Sequence, residues 1–314
     1  MSKTVLAIPL IAIVNPKAAS GKTGRYWAKL RPYLESLLGP VNVLITRRPE
    51  HATELVSSAI REGYKSVIAV GGDGTVNEVV NGFFSGDQLI SPDGVLGIIP
   101  QGTGSDFCRS LSLPLDKKAA VDIIQGGIVK EIDVLRVRYH TPQGKSRQRY
   151  CVNITSFGMA GDVARLAKRL SKFFGGKLAF ILATYITALR FGGRAVTIRL
   201  DNEFTKEIKI SNIAVGNGQF HGSGMWACPR AIIDDGLIDI TVIQYVSLFE
   251  IARSLPMLYD GRIYEHPKVE FRRAARVGAA SSEATLIEID GEPLGQLPLD
   301  ISVIPRAIKV YVRG

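Results

Sequence analysis

Two short loops carry the residues best suited to chemistry in this chain, Gly71-Gly72-Asp73-Gly74-Thr75 and Gln101-Gly102-Thr103-Gly104-Ser105-Asp106. Each follows an apolar run and precedes a stretch with helical spacing. Closely spaced glycines let backbone N–H groups come near a ligand, and a helix opening from such a loop favours an anion. Thr75 and Glu78 have capping-box spacing, which predicts a helix with Thr75 as its N-cap. Asp73 is the odd member, because a carboxylate repels phosphate unless a cation lies between them. That oddity points to a nucleotide carrying Mg²⁺, with Asp73 acting through the metal; a tight turn in which the aspartate merely caps is the competing reading. A third loop, "NPKAASGKTG", supplies the second half of a P-loop in Gly21, Lys22 and Thr23, but Pro16 stands five residues before Gly21 and has no N–H to give. It reads as a phosphate-side loop that is not a P-loop. Together the loops propose a cradle of Asn15, Ser20, Gly21, Lys22, Gly71, Gly72, Gly74, Thr75, Gly102 and Thr103, with Thr46 nearby at the exit of another apolar run.

Other groups carry less. Cys108, Cys151 and Cys228 are odd in number and far apart, so neither a disulfide framework nor a zinc site is indicated. His221 shows no partner in sequence, and no Ser-His-Asp pattern occurs. Asp290-Gly291 and Asp235-Gly236 read, from residue types alone, as turns. The stretch "DVARLAKRLSKFFGGK", residues 162 to 177, places Val163, Leu166, Ala167, Leu170, Phe173 and Phe174 near one helical face, with Arg165, Lys168, Arg169, Lys172 and Lys177 around it. It reads either as a helix with a solvated basic side or as an element that meets anionic lipid.

The elements that must hold these residues change character along the chain. Residues 1–128 alternate apolar runs ("IAIV", "VNVLI", "SVIAV", "VLGIIP") with helical segments, which predicts an α/β domain with a doubly wound parallel sheet. Ligands on such sheets sit beyond the carboxyl ends of the strands, where the loops lie. Residues 129–305 hold short strands such as "VKEIDVLRVRY", "RQRYCVNITSF" and "KEIKISNIAVGN", interrupted by helical segments at 162 to 190 and 247 to 257, and read as a mostly β sandwich. The closing strand, 306–314, could return to the first domain.

Composition sets the outer limits. With 314 residues, 46% of them hydrophobic and 22% charged, the chain is a folded one, and its net charge of +10 makes an anionic partner plausible. Lys3, the run "VLAIPLIAIV" and "AAS" imitate a signal peptide, but the run continues into the strand-loop-helix pattern the fold needs, so a cytoplasmic location is expected. No segment approaches the ~20 apolar residues of a membrane span.

Taken in order, "VNPKAASGKTG", "GGDGTVNEVVNG", "PQGTGSDFCRSL", "HGSGMWACPRAIIDDGLIDI" and "IDGEPL" resemble the landmarks of the lipid kinases that share the diacylglycerol kinase catalytic domain, including soluble bacterial diacylglycerol kinases and the sphingosine and ceramide kinases. Ser105 departs from the asparagine common there. The resemblance implies an NAD-kinase- and phosphofructokinase-like first domain, ATP as phosphoryl donor, and nucleotide contacts from Thr46, the Gly71–Thr75 loop and Thr103. It places the catalytic carboxylates at Asp290 and Glu292, with Glu292 as proton acceptor and Asp290 assisting. It also implies a Mg²⁺ held by the Asp235 side chain and the carbonyls of Ile232 and Leu237. The function expected is an ATP- and Mg²⁺-dependent lipid kinase, peripherally associated with the membrane, meeting its lipid substrate and anionic lipid there; nucleic acid is not expected and a homodimer is left open. A kinase of a soluble substrate such as NAD, and a nucleic-acid-binding protein, are the alternatives. NAD kinases and phosphofructokinases share the GGDG loop, but the "TVNEVVNG" continuation and the later motifs favour the lipid branch.

Overall fold

The computed structural model describes residues 10–314 except 103 and 172, together with all side chains in that range but those at 20, 176 and 177. Lys3 and the start of the apolar run lie outside it. The chain divides into two units: the first runs to Cys108 and includes Ser112–Ile132 and Ala307–Gly314, and the second comprises Arg109–Leu111 and Asp133–Arg306.

In the first unit the runs rich in Val and Ile form parallel strands: β1 (Leu10–Val14), β2 (Asn42–Ile45) and β3 (Ser66–Gly71). A short hairpin, β4 (Phe84–Ser85) and β5 (Gln88–Leu89), precedes β6 (Val95–Pro100). The order is β2–β1–β3–β6. Between the strands lie α1 (Lys22–Leu38), α2 (His51–Arg61), α3 (Asp73–Asn81), α4 (Asp106–Ser110) and α5 (Lys117–Gly126). Alternate strand residues face opposite ways. Ala12, Val14, Ile68, Val70 and Ile99 pack with Trp27, Leu30 and Leu34 of α1 and Val121 and Ile124 of α5. The intervening Ile11, Ile13, Val67 and Ala69 are buried too, as a parallel sheet covered on both faces requires.

The second unit contains β7 (Val129–His140), which begins just before it, then β8 (Ser146–Cys151), β9 (Ile154–Gly158), α6 (Met159–Leu170) and α7 (Gly176–Ala188). Next come β10 (Arg194–Leu200), β11 (Phe204–Gly216), the short pair β12 (Phe220–His221) and β13 (Met225–Trp226), and β14 (Ile238–Gln244). The unit closes with α8 (Leu248–Tyr259), β15 (Val269–Ala274), β16 (Arg276–Ala280), β17 (Leu286–Ile289) and the long β18 (Glu292–Tyr311). β11 and β18 change partners along their length, so the bonding runs β11–β10–β16–β18–β17–β9 and back to β11. The layers of this β-rich unit are thereby joined by shared strands around a core that includes Phe157, Ile213, Ile240, Ile287 and Ile301.

Several local expectations change. "RQRYCVNITSF" is two strands, because the chain turns at Val152-Asn153 between β8 and β9. The basic helix stops at Leu170, and α7 begins after Gly175. The closing strand, left open between the two domains by sequence, ends in the first unit, where Lys309 and Val310 pair in parallel with Val95 and Leu96 of β6.

Candidate functional site

Four strand ends in the first unit carry the nucleotide candidates. Asn15 leaves β1, Thr46 leaves β2, Gly71 to Thr75 leave β3 and open α3, and Gly102 follows β6. Asn15 Nδ2 donates to Thr75 Oγ1 at 3.0 Å, and its Oδ1 accepts from the Lys17 amide at 3.1 Å, so one side chain ties two loops together. Gly21, with φ of +82°, is the N-cap of α1, which starts at Lys22. The side chain of Ser20 and the whole of Thr103 lie outside the described residues.

The capping box does not form. α3 begins at Asp73 with Gly72 as N-cap, and Thr75 Oγ1 is taken by Asn15. Glu78 instead accepts the amides of Glu50 (3.0 Å) and Ala52 (3.2 Å), serving the exposed N-terminus of α2. A carboxylate there satisfies donors the helix cannot use and meets the positive end of its dipole. Asp73 Oδ1 accepts from the Phe107 amide at 3.2 Å, fixing the start of α4. The glycines serve packing as well as ligand approach: a Cβ on Gly102 would stand 2.9 Å from the Gly72 Cα, and the two loops could not touch.

Next to Gly102 lies a hollow of about 500 Å³, lined by Lys22, Arg25, Lys29 and Lys117 with Gln101 and Ser105. Of the sequence candidates, Lys22 and Gly102 line it. Arg25, Lys29 and Lys117 were missed, although Lys22, Arg25 and Lys29 recur at the spacing of one helical face. Ser105 has φ of +50°, a backbone region in which asparagine is more at ease than serine.

In the second unit the Asp290-Gly291-Glu292 turn separates its two carboxylates. Asp290 is buried, and its oxygens accept from the Cys151 thiol (3.0 Å) and the amides of Val152 (3.1 Å), Asn153 (3.0 Å) and Ile154 (3.1 Å). These donors come from the turn between β8 and β9 and the residues flanking it, so Asp290 holds that turn in place. Burial pushes the Cys151 thiol well up, with the Asp290 charge adding to it, so the thiol stays protonated as a donor. Glu292 is partly exposed, and its Oε2 lies 2.6 Å from Lys168 Nζ of α6.

Behind the turn stands Glu288, which sequence reading passed over. It is fully buried, its Oε2 accepts the Gly291 amide at 2.7 Å, and its Oε1 is 3.7 Å from His221 Nε2. His221 therefore has a partner. Burial raises the Glu288 carboxyl, while the nearby His221 and Ser156 pull it back. His221 and Ser156 line a cavity of about 120 Å³ whose other walls include Met159, Val163, Phe180, Met225, Ile251 and Leu255.

Asp235 accepts the Leu237 amide at 3.1 Å through Oδ1, and its Oδ2 pairs closely with Arg273. The Asp235 side chain expected to hold a cation with the Ile232 and Leu237 carbonyls is therefore already engaged by Arg273 and the Leu237 amide. Buried Asp239 is pushed up to about 6 by desolvation, against the pull of Arg273. Among the described residues no three His, Cys, Asp or Glu side chains converge as a metal-binding group.

On α6, Arg165 is paired with Asp162 and Lys168 with Glu292, so part of the basic face is engaged within the protein. Phe173, 83% exposed, and Phe174 lie in the connection to α7; Leu178, Ile186 and Leu189 on or beside α7 and Phe249 of α8, 76% exposed, are also open to solvent. Among the described residues no helix is long and apolar enough to cross a membrane.

Comparison with known proteins places these features in a family. Residues 9–137 match the diacylglycerol kinase catalytic domain, and residues 153–312 match the YegS C-terminal NAD kinase beta sandwich-like domain. A diacylglycerol kinase of Staphylococcus carnosus is 29% identical over 95% of this chain and 93% of its own. A Xanthomonas axonopodis protein named "Probable lipid kinase YegS-like" is 30% identical over 87% of each chain. The crystal structure of a diacylglycerol kinase from Bacillus anthracis superposes with a TM-score of 0.71 at 22% identity, covering 98% of this chain and 97% of that one, a likeness of fold.

Proposed function

Because the chain belongs to the diacylglycerol kinase family of lipid kinases, phosphotransferases with an alcohol acceptor, we propose that it moves the γ-phosphoryl group of Mg²⁺-ATP to the hydroxyl of a lipid. The observation that carries a lipid acceptor is the apolar cavity, which lies in the same unit as the Asp290-Gly291-Glu292 turn and runs up to the residues that buttress it.

The first unit suits the nucleotide. Lys22, Arg25, Lys29 and Lys117 would neutralise phosphate charge, and backbone amides of the Gly71–Thr75 and Gln101–Ser105 loops would supply donors, a set that fits a polyphosphate. Asn15 ties two of the loops together, Thr46 stands at the end of the neighbouring strand, and Asp73 would face the metal ion that arrives with ATP. When bound, that ion would supply positive charge against the charge that develops on the transferring group.

The second unit suits the acceptor. Asp290 is committed to the hydrogen bonds that set the turn, whereas Glu292 remains open on one side. Glu292 would accept the proton of the lipid hydroxyl as its oxygen bonds to the γ-phosphorus and the bond to ADP breaks. A positioned base of this kind contributes ~10² to 10⁴ in rate.

The enzyme would work at a membrane surface containing anionic lipid. The support is the combination of exposed Phe173, Phe174, Leu178, Leu189 and Phe249 with the exposed Arg169 on α6. α6, α7 and α8 also supply walls of the apolar cavity, so a lipid entering from the bilayer would meet them first.

The test is transfer of labelled phosphate from Mg²⁺-ATP to a panel of mixed-micelle lipids, beside a lipid-free control with NAD and common sugars. Labelled lipid supports the reading. Label confined to the lipid-free tube overturns it in favour of a soluble-substrate kinase.

A further inference from the structure

The cavity of the second unit is walled mainly by Met, Phe, Val, Ile, Leu and Ala side chains. Among its polar residues, Thr184, Ser211, Asn212, Glu250 and His266 already hold hydrogen bonds within the protein, whereas Ser156 and His221 have buried Glu288 as their common neighbour. Ser156 and Glu288 are cross-strand partners on β9 and β17. Ser156 Oγ and Glu288 Oε1 are both fully buried; the Ser156 hydroxyl stands near enough to pull the Glu288 carboxyl down, yet neither atom completes a hydrogen bond of ordinary geometry among the described residues. Buried polar atoms without partners are costly, of the order of 1–3 kcal/mol each, and are rare in folded proteins. A pocket meant only for hydrocarbon would gain nothing from them.

Glu288 faces two ways. Through Oε1 it meets the His221 ring, which is held edge-on by Phe180 with centroids 6.0 Å apart. Through Oε2 it accepts the Gly291 amide at the middle of the turn that presents Glu292. One rigid carboxylate therefore fixes both a ring that lines the cavity and the backbone that carries the base.

We propose that Ser156 and His221, with Glu288 as their positioning residue, select lipids that bear a second hydrogen-bonding group, a hydroxyl or amine, beside the hydroxyl that is phosphorylated. This rests on the lipid kinase reading. A site built to pair with a polar substituent discriminates strongly against the analogue that lacks it, because its own buried groups are then left unpaired. Glu288 adds a second effect, since the polar contact and the catalytic turn share one support.

The experiment uses a matched pair of probes, hexadecane-1,2-diol and hexadecan-1-ol, in mixed micelles with Mg²⁺-ATP, each offered as acceptor and as competitor of 1,2-dioleoylglycerol and sphingosine. In the unaltered protein the diol is expected to be favoured at least tenfold. Ser156→Ala and His221→Phe should bring that ratio close to one. Glu288→Ala should lose the preference and also lower kcat at nearly constant KM, and Glu288→Gln, whose amide oxygen can still accept from Gly291, should recover part of kcat. Indistinguishable behaviour of the two probes toward the unaltered protein, including no effect from either, overturns the inference, as does a preference that survives both Ser156→Ala and His221→Phe. If no lipid of any kind is labelled, the lipid kinase reading fails with it; if lipids are labelled and the pair is not distinguished, the inference alone fails.

Discussion

Lys168 Nζ stands 2.6 Å from Glu292 Oε2, while Asp290, two residues earlier, is turned inward onto the amides of Val152, Asn153 and Ile154. Two carboxylates on one turn thus have different work, and substitution separates them. Glu292→Gln should lower turnover by ~10² to 10⁴ while leaving ATP affinity and thermal stability near their original values. Asp290→Asn should instead destabilise the fold by about 2 kcal/mol, because an amide brings a donor where only acceptors fit. Paired kinetic and thermal-melting measurements decide this; full turnover in Glu292→Gln would remove the base assignment.

Asp73 has a structural bond to the Phe107 amide, which an asparagine can keep through its amide oxygen. Asp73→Asn should therefore melt normally yet bind Mg²⁺-ATP roughly tenfold more weakly, the loss coming from the metal contact. Calorimetric titration with Mg²⁺-ATP and with metal-free ATP gives the comparison. An equal effect on both would exclude a role toward the metal.

Phe173 and Phe249 are the most exposed aromatic residues of the α6 to α8 region. Inserting one phenylalanine into the interfacial layer is worth about 1.5 kcal/mol or more. Phe173→Ser and Phe249→Ser should each weaken co-sedimentation with phosphatidylglycerol-containing vesicles by about tenfold. Added salt should weaken it further by screening the basic residues. Unchanged sedimentation in the double variant would rule out this face as the contact.

Glu250 completes the capping box of α8, bonding the Ser247 amide at 2.8 Å, and reaches Lys268 at 2.6 Å. Lys268 first, and then Ser247, hold its carboxyl down to about 2. A carboxyl with a depressed folded value stabilises the native state above its unfolded value, ~4.3, and loses that contribution as pH falls toward the folded one. The melting temperature of Glu250→Gln should lie below that of the unaltered protein at pH 6, and the gap should close between about pH 4.5 and 2. A gap independent of pH would contradict this.

What the sequence discloses follows how local each signal is. Glycine loops at strand exits are legible because the glycines and the flanking apolar runs are neighbours in the chain. The turn at Val152-Asn153 is hidden because a single asparagine inside an otherwise strand-like run is a weak turn signal; its amides are organised by Asp290, far away in sequence. Glu78 has capping-box spacing, but its partners, Glu50 and Ala52, belong to another helix. Glu288 looks like the polar member of an ordinary strand, since nothing in "TLIEI" signals that both neighbours and the glutamate itself are buried. A true capping box does occur, at Ser247 and Glu250. Spacing alone thus selects candidates, and non-local partners decide among them.

The last stretch of β18 bears on how the protein is made. Residues Ala307–Gly314 belong to the first unit, and Lys309 and Val310 bond to its strand β6. During translation β6 emerges early but must wait for its neighbour until the whole of the second unit has left the ribosome. The parallel sheet of the first unit can only be completed once the second unit has been made, so β6 keeps an unpaired edge for that interval, the kind of edge that invites non-native pairing.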